Sequence, residues 1–197
     1  MGRLTVVVGG QKSGKSSLAA RRAEASGRPV VVITPAVVRD DEFAARVARH
    51  RADRPAGWTT VETFDLAAAV NELDVATFVI VDALDTWLAE RMEALGVPLG
   101  DDPLGDDPPD FDVLERTSRT VLAELRVFMD AVTRSGHTVM VIAGQPGLGV
   151  HAGSAGARAY VDLHGLALQA LSERADDVYL VVAGRVLPLV PDEETHP

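Results

Sequence analysis

The segment that most constrains this chain is a glycine-rich loop between a short apolar run and a helix-like stretch. Residues 9–16 read Gly-Gly-Gln-Lys-Ser-Gly-Lys-Ser, and they directly follow the run from Leu4 to Val8. This is the Walker A pattern in its expected strand–loop–helix context. Glycines let backbone N–H groups converge on phosphate oxygens, and the following helix directs its positive end at the same anion. The pattern predicts a nucleoside triphosphate site in an α/β fold.

Each position of this loop has a predicted role in holding phosphate. Lys15 supplies a mobile positive charge to the outer phosphates, and Ser16 can place its hydroxyl on Mg²⁺. The predicted phosphate-binding residues are Gly9, Gly10, Gln11, Lys12, Ser13, Gly14, Lys15 and Ser16.

Composition narrows the class of protein further. The 197 residues suffice for one domain with a core but not for two ordinary ones. We expect a single domain over residues 1–191, with an acidic loop insertion at 98–112 and a polar tail at 192–197. The formal net charge of −10 argues against nucleic acid as the main partner. The chain has no cysteine, no apolar run of membrane-spanning length and no signal-peptide pattern, so we expect a cytoplasmic protein.

Apolar runs rich in Val and Ile alternate with helix-like stretches along the whole chain. The predicted strands are residues 4–8, 30–33, 78–81, 139–143 and 178–182, and the predicted helices are 15–26, 41–53, 84–95, 113–134 and 159–175. This alternation is typical of a mostly parallel sheet flanked by helices. Residues 186–190 are predicted to return from a tight turn as an antiparallel edge strand.

A second phosphate-site element is predicted at the end of the run Phe-Val-Ile-Val-Asp. A Mg²⁺–triphosphate site usually needs a carboxylate at the end of a strand neighbouring the phosphate loop, and Asp82 supplies one. The alternative is that Asp82 caps the helix that begins near Asp85. Asp85 is a weaker second candidate and is interpreted as an N-cap.

A third element is the segment from Asp40 to Trp58, which has an acidic helix start followed by an amphipathic pattern. Its Phe43, Val47 and His50 fall at positions i, i+4 and i+7, so they share one helix face. Taken alone, a single histidine in such a position is interpreted as a partly buried structural residue, although imidazole is also a useful nucleophile.

Together these segments resemble a known enzyme family. The loop Gly-Gly-x-x-Ser-Gly-Lys-Ser and the gap-free string from Asp40 to Glu62 (Asp-Asp-Glu-Phe-x-x-Arg-Val-x-x-His-x-x-x-Arg-Pro-x-x-Trp-x-Thr-x-Glu) are similar to adenosylcobinamide kinase/adenosylcobinamide-phosphate guanylyltransferase. The resemblance runs along nearly the whole chain and weakens after about residue 143.

The resemblance implies a bifunctional enzyme of cobalamin assembly. Such an enzyme phosphorylates the aminopropanol hydroxyl of adenosylcobinamide with ATP or GTP. It then transfers GMP from GTP to adenosylcobinamide phosphate and releases pyrophosphate. The guanylyl group passes through a covalent histidine intermediate, and the matching position here is His50. A phosphoramidate is a reactive carrier, so this chemistry suits an imidazole.

The resemblance also implies a RecA-type P-loop fold, a homotrimer and a set of nucleotide contacts. Arg54 is the best candidate to stabilise developing phosphate charge. Glu62 matches a position that reads base or ribose, although its spacing fits an exposed strand-end carboxylate equally well. The contacts implied beyond the phosphate loop are Ile33, Thr34, Arg51, Ala52, Asp53, Arg54, Glu62 and Asp82.

The chain departs from the family pattern mainly in its last third. Gly144 and Gln145 stand where the family usually has Asn and Glu, and Leu168 and Glu90 each replace an expected Asn. A family Pro-Glu-Asn run is Ala-Gly-Ser at residues 152–154. These changes indicate either neutral drift or the loss of one activity or of the usual substrate.

Two other functions therefore stay open at this point. One is a P-loop kinase for a different small alcohol, in which His50 is structural. The other is a non-catalytic nucleotide-binding relative. The remaining histidines, His164 among them, show no paired ligand spacing and are interpreted as unremarkable.

Overall fold

The computed structural model describes residues 1–35, 54–99, 110–149 and 153–191. The strands are β1 Arg3–Val8, β2 Val30–Thr34, β3 Thr59–Glu62, β4 Phe78–Asp82, β5 Thr138–Ala143, β6 Asp177–Val182 and β7 Arg185–Leu189. The helices are α1 Lys15–Ala25, α2 Leu66–Asn71, α3 Leu84–Ala94, α4 Phe111–Arg134 and α5 Ala155–Arg174, with a short 3-10 turn at Pro146–Leu148.

The seven strands in the described part of the chain form one sheet in the order β3-β2-β4-β5-β1-β6-β7. Every neighbouring pair is parallel except β6 and β7, which form an antiparallel hairpin at one edge. The predicted mostly parallel sheet with an antiparallel edge strand is therefore confirmed. The phosphate-loop strand β1 lies near the middle of the sheet, where its backbone is paired on both sides.

Alternating side chains of the central strands point to opposite faces, and both faces are covered. On one face Val7, Val32 and Ile80 pack against Leu18 and Ala19 of α1. On the other face the opposite set of strand residues packs against α2 to α5, and its largest fully buried side chains include Trp87, Phe128 and Leu125. Two-sided burial explains why these strands are continuous runs of Val and Ile.

The predicted boundaries agree with the structure within a few residues where the apolar pattern is strong. Two short elements, β3 and α2, were not predicted. The α4 helix begins at Phe111, inside the segment that was predicted as acidic loop, because Asp110 accepts a hydrogen bond from the N–H of Asp112 and caps it. The predicted helix 41–53 lies outside the described residues. None of the helices in the described ranges is long and apolar enough to cross a membrane.

Candidate nucleotide site at the carboxyl edge of the sheet

The phosphate loop joins β1 to α1, and its shape is fixed by close backbone contacts. A Cβ atom built on Gly9 would lie 2.3 Å from the carbonyl oxygen of Val181, so only glycine fits there. Gly14 has φ +107°, in the left-handed region that favours glycine. The N–H of Gly184, in the β6–β7 turn, donates to the carbonyl of Ser13 at 2.8 Å. The loop is thus built against the hairpin beside it.

Lys15 begins α1 and turns its ammonium back onto the loop. Its Nζ donates to the carbonyls of Gly9 and Gly10 at 2.7 and 2.8 Å. Burial lowers the pKa of Lys15, and the carboxylates of Asp85 and Asp82 oppose that shift. The ammonium therefore lies within the field of both carboxylates, at the mouth of a loop suited to an anion.

One polar atom of the loop independently indicates a missing partner. The hydroxyl oxygen of Ser13 is buried and has no hydrogen-bond partner in the part of the chain that the structure describes. Buried polar atoms are usually paired, and a bound phosphate oxygen could satisfy such a hydroxyl. The loop residues therefore fit the predicted phosphate ligand.

Asp82 ends β4 and forms one side of the site with Arg54. The guanidinium of Arg54 lies 3.6 Å from the Asp82 carboxylate, and their side chains are 13% and 23% exposed. Arg54 also donates to the hydroxyls of Thr60 at 2.9 Å and Thr34 at 3.4 Å, so it connects β2, β3 and β4. The expectation that the Asp82 strand lies next to the loop strand is wrong, since β5 lies between them.

A cavity of about 330 Å³ beside these residues is lined by side chains of both α1 and the sheet. Ser16, Arg54 and Asp82 all line it, together with apolar side chains of the sheet and Trp58. A hydroxyl and a carboxylate that line one space are oxygen donors of the kind that Mg²⁺ takes when phosphates and waters complete its shell. Ser16 and Asp82 therefore fit the predicted metal position.

The structure corrects the interpretation of Asp85. The N-cap of α3 is Ala83, and Asp85 lies in the first turn of the helix instead. Its carboxylate accepts from the N–H of Gly144 at 2.8 and 2.9 Å and lies 2.7 Å from Nε2 of His164. His164 was interpreted as unremarkable, yet it is 2% exposed and paired with a carboxylate of the site edge.

The other residues predicted to contact the nucleotide differ in how the structure places them. The Ile33 side chain is fully buried in the core, so any nucleotide contact there would come from its backbone. Glu62 ends β3 opposite Thr34 in the strand register and is exposed, as both interpretations of it require. The predicted site residues His50, Arg51, Ala52 and Asp53 lie outside the described residues.

Comparison with known proteins identifies the family. The family described as cobinamide kinase / cobinamide phosphate guanyltransferase matches residues 5–189. The chain belongs to this family. It is 33% identical over 186 residues to the bifunctional adenosylcobalamin biosynthesis protein CobP of Pseudomonas aeruginosa, covering 93% of this chain and 95% of that one. It is 30% identical to the CobU protein of Salmonella typhimurium, covering 92% and 96%.

The fold also resembles that of a solved ATPase. An ATPase from the type III secretion system of pathogenic bacteria superposes with a TM-score of 0.51 at 12% identity, covering 91% of this chain and 51% of that one. At this identity the likeness concerns the fold alone, and it supports the P-loop architecture predicted from the loop at residues 9–16. The family resemblance drawn from the loop and the string at residues 40–62 is confirmed.

Proposed function

We propose that this chain is a bifunctional enzyme that phosphorylates adenosylcobinamide with ATP or GTP and then guanylylates the product. The observation that carries this proposal is a family match over residues 5–189 together with a complete phosphate loop. The arrangement of Lys15, Asp82 and Arg54 around one edge of the sheet supports it. These are the groups that phosphoryl transfer needs, and they argue against a non-catalytic relative.

In the phosphorylation step the chain's own residues bind and orient the nucleotide. The loop would hold the phosphates through backbone N–H groups, and Lys15 would move from the carbonyls of Gly9 and Gly10 to the outer phosphates. Arg54, held by Thr34 and Thr60, would stabilise negative charge that develops in the transition state. Mg²⁺, with Ser16 and Asp82 among its ligands, would screen phosphate charge when bound.

In the guanylylation step His50 would carry the GMP group. An imidazole nitrogen would attack the α-phosphorus of GTP, forming an N–P bond while the α–β P–O bond breaks and pyrophosphate leaves. A phosphate oxygen of adenosylcobinamide phosphate would then attack the same phosphorus and release the histidine. Arg51, Ala52 and Asp53, next to His50, are proposed to approach the nucleotide, and Glu62 to contact its base or ribose.

A labelling experiment tests the guanylylation half directly. The full-length protein is incubated with Mg²⁺ and [α-³²P]GTP beside a His50→Ala variant. We expect acid-labile, base-stable label on the wild type and none on the variant, because phosphoramidates hydrolyse in acid. Absence of label on a wild type that still binds GTP would overturn the covalent step. Turnover of adenosylcobinamide with ATP or GTP separately tests the kinase half.

We further propose that the chain acts as a homotrimer in the cytoplasm. The β7 strand supports assembly, because it is a sheet edge on which Val186, Leu187 and Leu189 are 38%, 56% and 41% exposed. Light scattering should give three times the mass of one chain. A Leu187→Glu variant should lower that mass, and a monomeric wild type would contradict the proposal.

A further inference from the structure

The Asp85 carboxylate is held by groups from two other parts of the chain. The N–H of Gly144, just past β5, donates to both of its oxygens at 2.8 and 2.9 Å. Nε2 of His164, in α5, lies 2.7 Å from Oδ1. Because an ionised carboxylate only accepts hydrogen bonds, this contact places the imidazole proton on Nε2.

A third side chain supports this arrangement from the same helix. Tyr160 lies one turn before His164, and the two ring centroids are 5.7 Å apart. Burial raises the pKa of the Tyr160 hydroxyl, with the charge of Asp85 adding to the shift, so the hydroxyl stays protonated. It donates to the backbone carbonyl of Asp85 at 3.3 Å. The imidazole is thus held by a neighbouring ring in a site where 2% of it is exposed.

The strand register brings this carboxylate to the phosphate loop. Val8 of β1 is paired with Ala143 of β5, so the next residues, Gly9 and Gly144, emerge side by side at the carboxyl edge. Asp85 binds the N–H of Gly144 and therefore lies beside the first residue of the loop. The charge of Asp85 also opposes the lowering of the Lys15 pKa, as expected for a carboxylate at this edge of the sheet.

The absence of a side chain at residue 144 makes room for the carboxylate. A Cβ atom built on Gly144 would lie 3.0 Å from Oδ2 and 3.2 Å from Oδ1 of Asp85, which is closer than ordinary contact. A glycine at this position therefore leaves the space that the Asp85 carboxylate needs to contact both the Gly144 N–H and His164. The family resemblance predicts Asn here, and in this chain the smaller residue leaves room for the carboxylate of Asp85.

The carboxylate has an open side as well as a fixed one. His164 holds Oδ1, whereas the only partner of Oδ2 in the described ranges is the shared Gly144 N–H, and the Asp85 side chain is 35% exposed. Asp82 differs, because Arg54 lies 3.6 Å from its carboxylate and the pair lines the cavity that fits the metal position. Asp85 is accordingly the carboxylate that a hydroxyl group could reach.

We propose that Asp85 is the general base for the acceptor hydroxyl in phosphoryl transfer and that His164 is its positioning residue. This inference rests on the proposed kinase function. The acceptor O–H gives its proton to Oδ2 of Asp85 as its oxygen bonds to the γ-phosphorus, and the β–γ P–O bond breaks to leave a nucleoside diphosphate. The proton then passes from Asp85 to solvent. The His164 Nε2–H stays on Oδ1 throughout and keeps the other oxygen directed outward.

The decisive variant is Asp85→Asn in the full chain, since an amide keeps the shape and still accepts from Gly144. General-base catalysis contributes roughly 10²–10⁴-fold, so kcat for phosphorylation of adenosylcobinamide should fall by at least about 10²-fold. KM for the nucleotide should stay within about threefold because the phosphate loop is intact. Labelling of the wild-type and variant proteins by [α-³²P]GTP should be equal, because that step needs no acceptor hydroxyl.

His164 variants separate positioning from simple packing. His164→Ala should lower kcat about tenfold with little change in KM, since the carboxylate loses its orienting donor. His164→Gln restores an N–H donor and should recover most of that loss. If the alanine and glutamine variants lose kcat equally, and in proportion to a lower melting temperature, the positioning role is overturned.

Asp65 provides a matched control. It is another carboxylate that accepts a backbone N–H at a helix start, from Ala68 at 2.8 Å, and it lies at α2, away from the loop. Asp65→Asn should leave kcat unchanged. Equal phosphorylation by wild type and Asp85→Asn would overturn the inference alone. No phosphorylation by the wild type would instead overturn the proposed kinase function, and the inference with it.

Discussion

The two carboxylates at the carboxyl edge of the sheet have opposite surroundings. Asp82 belongs to the half built from β2, β3 and β4, where a guanidinium held by two threonine hydroxyls lies 3.6 Å away. Asp85 belongs to the half built from β5 and α5, where an imidazole and a backbone N–H hold it. In the first half the Asp82 carboxylate is paired with a guanidinium next to a cavity. In the second half the Asp85 carboxylate has one oxygen, Oδ2, that the imidazole does not hold.

This difference follows the pattern of the sequence. The first half contains Arg54 and the strand-end Asp82, which the resemblance described above predicts as family positions. The second half contains Gly144 and Gln145, where the expected Asn and Glu are absent. The departures from the expected pattern therefore fall in the half where glycine leaves room for the Asp85 carboxylate and where an imidazole holds that carboxylate.

Among the variants that compare the two halves, the largest expected effect comes from Lys15, whose pKa is influenced by the carboxylates of both Asp85 and Asp82. Lys15→Ala should lower the rate of phosphoryl transfer by about 10²–10³-fold, as expected for removal of one fixed donor to a developing charge. Steady-state kinetics with ATP or GTP would measure it. Arg119→Ala removes a cation that is 71% exposed and serves as the control. A loss below tenfold would mean that the ammonium does not reach the transferred phosphate.

Asp82→Asn tests the first half alone. The amide keeps the size of the side chain but removes the charge that a cation would bind, so the Mg²⁺ concentration for half-maximal activity should rise about 10–100-fold. A Mg²⁺ titration of the kinase reaction measures this. Asp85→Asn should leave that concentration unchanged. If both variants shift the Mg²⁺ requirement equally, the division between the two halves is wrong.

Gly144→Ala tests the second half without removing any polar group. The added methyl would lie 3.0 Å from an oxygen of Asp85 and should displace the carboxylate by a fraction of an ångström. We expect kcat to fall about tenfold, since small misplacements of catalytic groups are costly. Gly136→Ala is the control, because a Cβ there would meet nothing within 4 Å. Equal kcat for both variants would show that the carboxylate tolerates displacement.

The smallest expected effect concerns stability at the opposite edge of the sheet. Burial lowers the pKa of His137 below its ordinary 6.5; a backbone hydrogen bond with Val70 opposes this shift, and the charge of Arg28 adds to it. The unfolded chain therefore binds a proton more readily, so the free energy of unfolding should decrease as pH falls below about 6.5. Protonation would also break the bond from the N–H of Thr77 to Nδ1.

Urea unfolding at pH 7.5 and pH 5 would measure this loss. His137→Asn keeps an acceptor for the Thr77 N–H but does not titrate, so it should lose less stability in acid than the wild type. An equal loss in both proteins would assign the acid sensitivity to other groups. Because both proteins keep Asp82 and Asp85, a difference between their losses reports on His137 and not on those two carboxylates.

The sequence predicts the central sheet well because the strands are buried on both faces. Continuous Val and Ile runs identify five strands without any tertiary information. The β3 strand was missed because Thr59–Glu62 has a single apolar residue, Val61, and its end residues are exposed. The six-residue α2 is too short to show a helical period.

The sequence predicted the site only where the functional groups lie close together along the chain. The loop at residues 9–16 carries its own signature, and the residue after a buried strand is a recognisable position for Asp82. The role of Asp85 was predicted wrongly because its partners, Gly144 and His164, are 59 and 79 positions away. The only sequence signal for that pair was Gly144 in place of an expected polar residue, and it indicates a change without naming the new partner.

The bond from Gly184 to Ser13 has a consequence for the order in which the protein becomes active. The loop that begins at Gly9 is closed by residues of the last two strands, and β1 itself pairs with β5 and β6. During synthesis, the loop residues leave the ribosome before β5, β6 and the β6–β7 turn do. Until those later segments have emerged, the loop lacks the backbone groups that pair with it and with β1. The chain would then gain affinity for nucleotide only late in synthesis, so nucleotide binding would indicate that β6 and the β6–β7 turn have folded against the loop.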